Sequence, residues 1–192
     1  SLKMSEIRVE NIIGETGVDA VNFTKGVNVT GIVTATSFAG SGAALTGIIG
    51  GKIGQVLTQI YEPGGSNITT SSTSYVTTSM TLTITPSNTN SKILILGIAN
   101  GHRISNQNAN AIINIQRAVS GGSTDNLSGS TLGLAHTYTT TATTSTIFFV
   151  DGTTGTAQRT YTVVHRSDSG SYTSTIFRSN TSNMFMLAEI LP

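Results

Sequence analysis

From Val76 to Thr85 the chain alternates without a break. Val76, Thr78, Met80, Leu82 and Ile84 interleave with Thr77, Ser79, Thr81, Thr83 and Thr85. Successive side chains of a strand point to opposite faces, so a repeat of two gives one mostly apolar face and one hydroxyl face. Tyr75 to Thr85 is therefore predicted as a strand half-buried in a sheet, with its hydroxyl face open to water. Pro86 to Ser91 makes the turn that follows. Lys92 to Ile98 then carries the unbroken run Ile93-Leu94-Ile95-Leu96, which suits a central strand covered on both sides. Further strands are predicted at Ile53–Tyr61, Ala111–Ala118, Thr131–Tyr138, Ser145–Val150, Gln158–Arg166, Tyr172–Arg178 and Met184–Ile190. Turn signals such as Gly121-Gly122, Asp151-Gly152 and Asp168-Ser169-Gly170 separate them. Short strands in this number, without a convincing amphipathic helix, predict an all-β sandwich of jelly-roll type. The order of its strands cannot be read from the pattern.

Composition supports a folded β protein. Charged residues are only 10% of the 192, against about 25% in ordinary domains, while Ser and Thr together reach about 30%, so hydroxyls must solubilise the surface. The apolar residues are mainly Ile, Val and Leu in short regular groups, which argues against disorder. A net charge of +1 with no Lys/Arg cluster argues against a nucleic-acid partner. No apolar run approaches the roughly 18 residues of a membrane span, and the opening residues lack the order of an export signal. Neither membrane insertion nor export by that route is expected. The chain has no cysteine, so it suits folding in a reducing cytoplasm followed by service outside it.

The segment before the sandwich follows other rules. Between Gly14 and Gly51 glycines recur at short, uneven intervals and separate strand-like pieces of a few residues. These pieces carry Val18, Val21, Phe23, Val27, Val29, Ile32, Val33 and Phe38, yet about 40 residues cannot bury enough surface to stand alone. Three copies winding about one axis, with glycines at the corners, would supply a shared core made of those side chains. An extended arm docked on a neighbouring protein is the alternative. Ala43 to Gly51 reads as a small-residue joint, and the boundary is placed there, with the sandwich occupying 52–192.

Candidates for chemistry are few. Glycan cleavage needs a pair of carboxylates held across the sugar, and the region from residue 52 offers only Glu62, Asp125, Asp151, Asp168 and Glu189. Asp151 and Asp168 sit in turn contexts that explain them without catalysis, and Glu189 reads as a surface or interface carboxylate. His102, His136 and His165 lack metal-ligand spacing, although one histidine per chain can meet others on a threefold axis. No cysteine nucleophile, Gly-x-Ser-x-Gly elbow or phosphate-binding loop is present. No enzyme activity, cofactor or metal is expected. Five Asn-x-Ser/Thr triplets follow from composition alone. The polar stretch Gly101 to Asn108, with His102, Arg103, Asn106, Gln107 and Asn108, reads as a loop whose groups suit sugar hydroxyls, with Tyr61, Tyr138 or Tyr172 as stacking faces. An ordinary solvated loop is the simpler account of it.

Two stretches resemble known proteins. Val33-Thr34-Ala35-Thr36-Ser37-Phe38-Ala39-Gly40-Ser41-Gly42-Ala43-Ala44-Leu45-Thr46-Gly47-Ile48 is similar to a recurrent motif of tailed-bacteriophage fibres, especially those of marine phages. There it closes a shaft repeat; Ser41, Ala43 and Ala44 replace the usual Asp, Ser and Asn. The remainder resembles the head domain at the ends of phage fibres, through Thr70 to Val76, Ile84-Thr85-Pro86-Ser87, Ser91 to Ile95 and Leu187-Ala188-Glu189-Ile190. The resemblance implies a virion protein assembled in the host cytoplasm. It would be a homotrimer with a short intertwined β shaft over 18–51, a jelly-roll-like head, and residues 1–17 attached to another phage structural protein. It implies a host-surface partner, glycan or envelope protein, without naming one. A head fibre or capsid-decoration protein of purely structural role lies within the same class, and a glycan-cleaving enzyme is the reading the acidic residues least favour.

Overall fold

The computed structural model describes residues 27–32, 34 and 52–192. Val18, Val21, Phe23, Val33 and Phe38, proposed for the shaft core, lie outside the described residues, as does the proposed attachment segment 1–17. Val27, Val29 and Ile32 belong to no strand and are exposed in the single chain. The chain divides into two units between Ile48 and Ile49, and the second carries all the described strands.

These strands are β1 (Lys52–Tyr61), β2 (Ile68–Thr70), β3 (Val76–Ile84), β4 (Lys92–Ile104), β5 (Ala111–Val119), β6 (Thr124–Asn126), β7 (Ala135–Thr137), β8 (Thr143–Asp151), β9 (Arg159–Ser167), β10 (Ser174–Ile176) and β11 (Asn183–Leu191). All pairings are antiparallel. One sheet runs β1-β11-β4-β8, with β10 and β2 continuing from the far end of β4. The other runs β3-β9-β5, with β6 and β7 sharing the outer edge of β5. Taking β6 and β7 as one interrupted strand, the eight main strands have the order 1-8-3-6 in one sheet and 2-7-4-5 in the other. That is the connectivity of a jelly roll, two Greek keys folded over one core.

The alternation that predicted β3 is also what builds the core. Met80 and Ile84 are buried, and they meet Ile93 and Ile95 of β4, Ile113 and Ile115 of β5, and Phe185 and Leu187 of β11. Each such side chain contributes about 2 kcal/mol by leaving water. On the opposite face of β3, Thr81 and Thr83 meet Thr162 and Thr160 of β9 through hydroxyl pairs at 2.8 and 2.9 Å.

Several boundaries differ from expectation for local reasons. The β4 strand runs on to Ile104, because a bulge at Gly101 (φ 79°) lets it turn while pairing continues with β8 and then β10. A side chain would not fit there: a Cβ on Gly101 would lie 2.2 Å from Cβ of Arg178. The stretch predicted at Thr131–Tyr138 contracts to β7, because Gly133 closes a turn onto Ser130. The one at Tyr172–Arg178 stops at Ile176, because Phe177 takes φ 51°. The three-residue strands β2 and β6 were too short to carry a periodic signal. The run Ile93 to Leu96 is central as expected but not covered on both sides: Ile93 and Ile95 are buried, while Leu94 and Leu96 stay partly open on the outer face.

Candidate functional site

Beyond the Gly101 bulge, β4 leaves the main ladder and pairs with β10, placing Thr175 opposite Arg103 and opposite Thr69 of β2. Thr69, Thr175 and Arg103 thus form one row across three strands. Around this row lies a cleft of about 380 Å³, lined also by Asn67, Ile104, Ser105, Thr140 and Thr173. Its volume is within the ordinary range of small-ligand sites. The lining combines hydroxyls, one amide, one guanidinium and one apolar side chain, and contains no carboxylate, histidine or cysteine. Part of it is already held in place. The Ser105 hydroxyl accepts the Thr173 N–H at 2.8 Å, and the Asn67 carbonyl accepts the Ser179 N–H at 2.9 Å. Such a surface can bind a polyhydroxylic or anionic group and has no general acid or base among its lining residues.

The residues expected to face a receptor are divided by the structure. Arg103 lines the cleft. Asn106, Gln107 and Asn108 lie in the loop after β4, with Gln107 and Asn108 exposed and the Asn106 carbonyl accepting the Asn108 N–H at 2.9 Å. Because β4 runs on to Ile104, Arg103 does not belong to that loop, contrary to expectation, and nor does His102. It points inward, fully buried, with Nδ1 2.7 Å from the Ser145 hydroxyl. Of the tyrosines, Tyr138 is exposed, Tyr172 packs against Ile104 and Ala109, and Tyr61 stacks edge-on with Phe177 at 5.5 Å in the core. Thr140 of the cleft lies two residues after Tyr138.

The interior holds three polar clusters that composition did not foretell. Asp151 is not merely a turn residue. Its carboxylate accepts from Arg117 at 2.9 Å and from the Tyr161 hydroxyl at 2.7 Å, and it is almost wholly buried. Burial would raise its pKa, but the donors Tyr161, Thr153 and Arg117 outweigh burial and hold it low. Arg117 also reaches Asp125 at 3.2 Å.

Glu189 is likewise buried, contrary to the surface or interface carboxylate expected of it. It accepts from the Ser87 N–H at 2.6 Å, the Ser87 hydroxyl at 2.9 Å and Gln55 at 3.1 Å. Its burial penalty is outweighed by the hydroxyl of Ser91 and these donors, which bring its pKa down to about 2. The third cluster is His102 and His165, both fully buried. Desolvation lowers each to about 4, and for His102 the neighbouring His165 and His136 add to the shift. His165 Nδ1 lies 3.1 Å from the Ser174 hydroxyl. Asp168 lies in the bend after β9, and its carboxylate accepts both the backbone and side-chain N–H of Asn110, 58 residues away, at 2.7 Å. Among the described residues no group of three or more His, Cys, Asp or Glu is placed to hold a metal ion.

No protein-family model matches the chain, and no curated protein matches it.

Proposed function

We propose that this chain is a structural and adhesive fibre protein of a tailed-phage particle. In this reading it is a homotrimer whose N-terminal segment fastens to another virion protein and whose jelly-roll head meets the host surface. The observation that carries the recognition role is the cleft at Arg103. It offers hydroxyl, amide and guanidinium groups for a polar ligand, and no pair of carboxylates with which to cleave one. The shaft motif from Val33 to Ile48 supports the placement in a virion. Weak contacts of this kind become useful when identical heads act together.

The test is binding of labelled full-length protein to susceptible and resistant host cells, with Arg103→Ala and Thr175→Val beside the wild type. Recognition predicts preferential binding to susceptible cells and its loss in both variants. Equal binding to the two cell types removes the adhesive role. If deletion of residues 1–17 then abolishes incorporation into particles, a purely structural head fibre or decoration protein is the better reading.

A further inference from the structure

The two sheets differ on their outer faces. Across the outer face of β1-β11-β4-β8, the register lines up Ile60, Met184, Ile98 and Thr146 in one row. The next row is Thr58, Met186, Leu96 and Phe148, and the third is Val56, Ala188, Leu94 and Val150. Nine of these twelve side chains, leaving out the two threonines and the small Ala188, are large and apolar, and none is ionisable. Ile60 is 71% exposed, Phe148 68% and Val56 51%. The outer face of β3 and β9, by contrast, is built on the paired threonines 81/162 and 83/160.

The same asymmetry is written into the strands. Ile93-Leu94-Ile95-Leu96, Ile147-Phe148-Phe149-Val150 and Met184 to Ala188 are continuous apolar runs, the pattern of strands covered on both faces. Among the described residues only one of the two faces is covered. Ile60, Phe148, Val56 and Val150 put a large exposed apolar side chain on every row of this face, and contiguous apolar patches mark interaction surfaces.

We propose that this face is the contact surface between copies of the chain, with three such sheets meeting around one axis. The threefold arrangement rests on the homotrimer reading above. A second copy is the occupant that the chemistry favours. The three rows carry no charge and Lys92 lies at their margin, opposite Ile190, so the centre of the face offers nothing to a charged partner, whereas an identical face matches it in polarity. Continuity of the chain points the same way. In sequence the glycine-punctuated segment ends at Gly51, directly before β1, so a shaft shared by three chains, as proposed above, holds three heads at high effective concentration.

The chain has no cysteine, so a single introduced thiol reports on one place. Thr58→Cys sits in the middle row of the face, and Thr83→Cys on the hydroxyl face of β3 serves as the exposed reference. Both full-length variants are weighed by light scattering and reacted with a maleimide under native conditions. The expected result is a trimer in which the thiol at position 58 reacts about tenfold or more slowly than that at 83. A trimer with equal rates overturns the assigned face and leaves the homotrimer standing. A monomer with equal rates overturns both. A dimer protected at 58 keeps the face and removes the threefold axis. A monomer protected at 58 shows the face covered by the chain itself and overturns the second-copy occupant.

Discussion

At Gly101 a single hydrogen in place of a side chain decides where β4 can go. With φ at 79° and Arg178 within 2.2 Å of any added Cβ, Gly101→Ala must both strain the backbone and displace the segment after β10. It is expected to cost about 3 kcal/mol in urea unfolding, with the cleft disordered because Arg103 lies just beyond. Asp151 is a second residue with effects larger than its size. Asp151→Asn leaves the Arg117 guanidinium, whose side chain is only 15% exposed, without its buried counter-charge. The loss expected in equilibrium unfolding is about 3 kcal/mol, and Tyr161→Phe, which removes one hydrogen bond, should cost only about 1 kcal/mol. Asp151 itself looked like a turn residue because the Gly after it is a turn signal. The Arg and Tyr that engage it lie 34 and 10 residues away in sequence, a proximity that no local pattern records.

The edge strands β1 and β3 need their free backbone groups satisfied, and two glutamines of β1 do this for β3. The Gln59 amide accepts the Thr81 N–H at 2.9 Å and reaches the Ser79 carbonyl at 3.4 Å, where a bulge interrupts pairing with β9. Gln55 donates to the Thr85 carbonyl at 2.7 Å. Gln59→Ala should therefore destabilise the protein by about 1 kcal/mol and accelerate amide exchange at Thr81 before other sites in β3, as hydrogen exchange would show. Periodicity located the long strands to within two residues except at the end of β4, which runs on from the expected Ile98 to Ile104, because alternation and apolar runs are local consequences of burial. It failed for β2, β6 and the ends of β7 and β10, where pairing with β10, β5 or β4 rather than composition defines the element.

For the molecule as a whole, pH is the most direct probe of the buried polar clusters. His102 and His165 have folded pKa values near 4, below the usual 6.5, so the unfolded chain takes up more protons between those values. Their stabilising neutral state is fully present above about pH 6.5 and is lost as pH falls toward 4. Glu189, held near 2, contributes stability above about 4.5 that disappears as pH falls through the range below. Thermal unfolding between pH 8 and 2.5 should accordingly show a plateau above 6.5 and then a continuous decline. A midpoint unchanged between pH 7 and 5 would mean that the two imidazoles are not buried in solution. The second probe at this scale is mass. A chain beginning at Lys52 keeps all eleven described strands and should fold. If shaft and head both contribute contacts, it should associate more weakly than the full chain, whose expected mass is three times 19.9 kDa.

The sequence alone determined the all-β fold class and the long strands. Each of these follows from side-chain periodicity, turn chemistry and composition, which act over a few residues. It also placed Arg103, Asn106, Gln107 and Asn108 in one polar stretch, although it put His102 in that loop, where the structure has it buried on β4. Only the tertiary structure decided the jelly-roll strand order, the row of Thr69, Thr175 and Arg103, the burial of Asp151, Glu189 and the two histidines, and the apolar outer face of one sheet alone. These depend on contacts between residues tens of positions apart. Register across strands, set by the packing of the whole sandwich, determines which side chains meet.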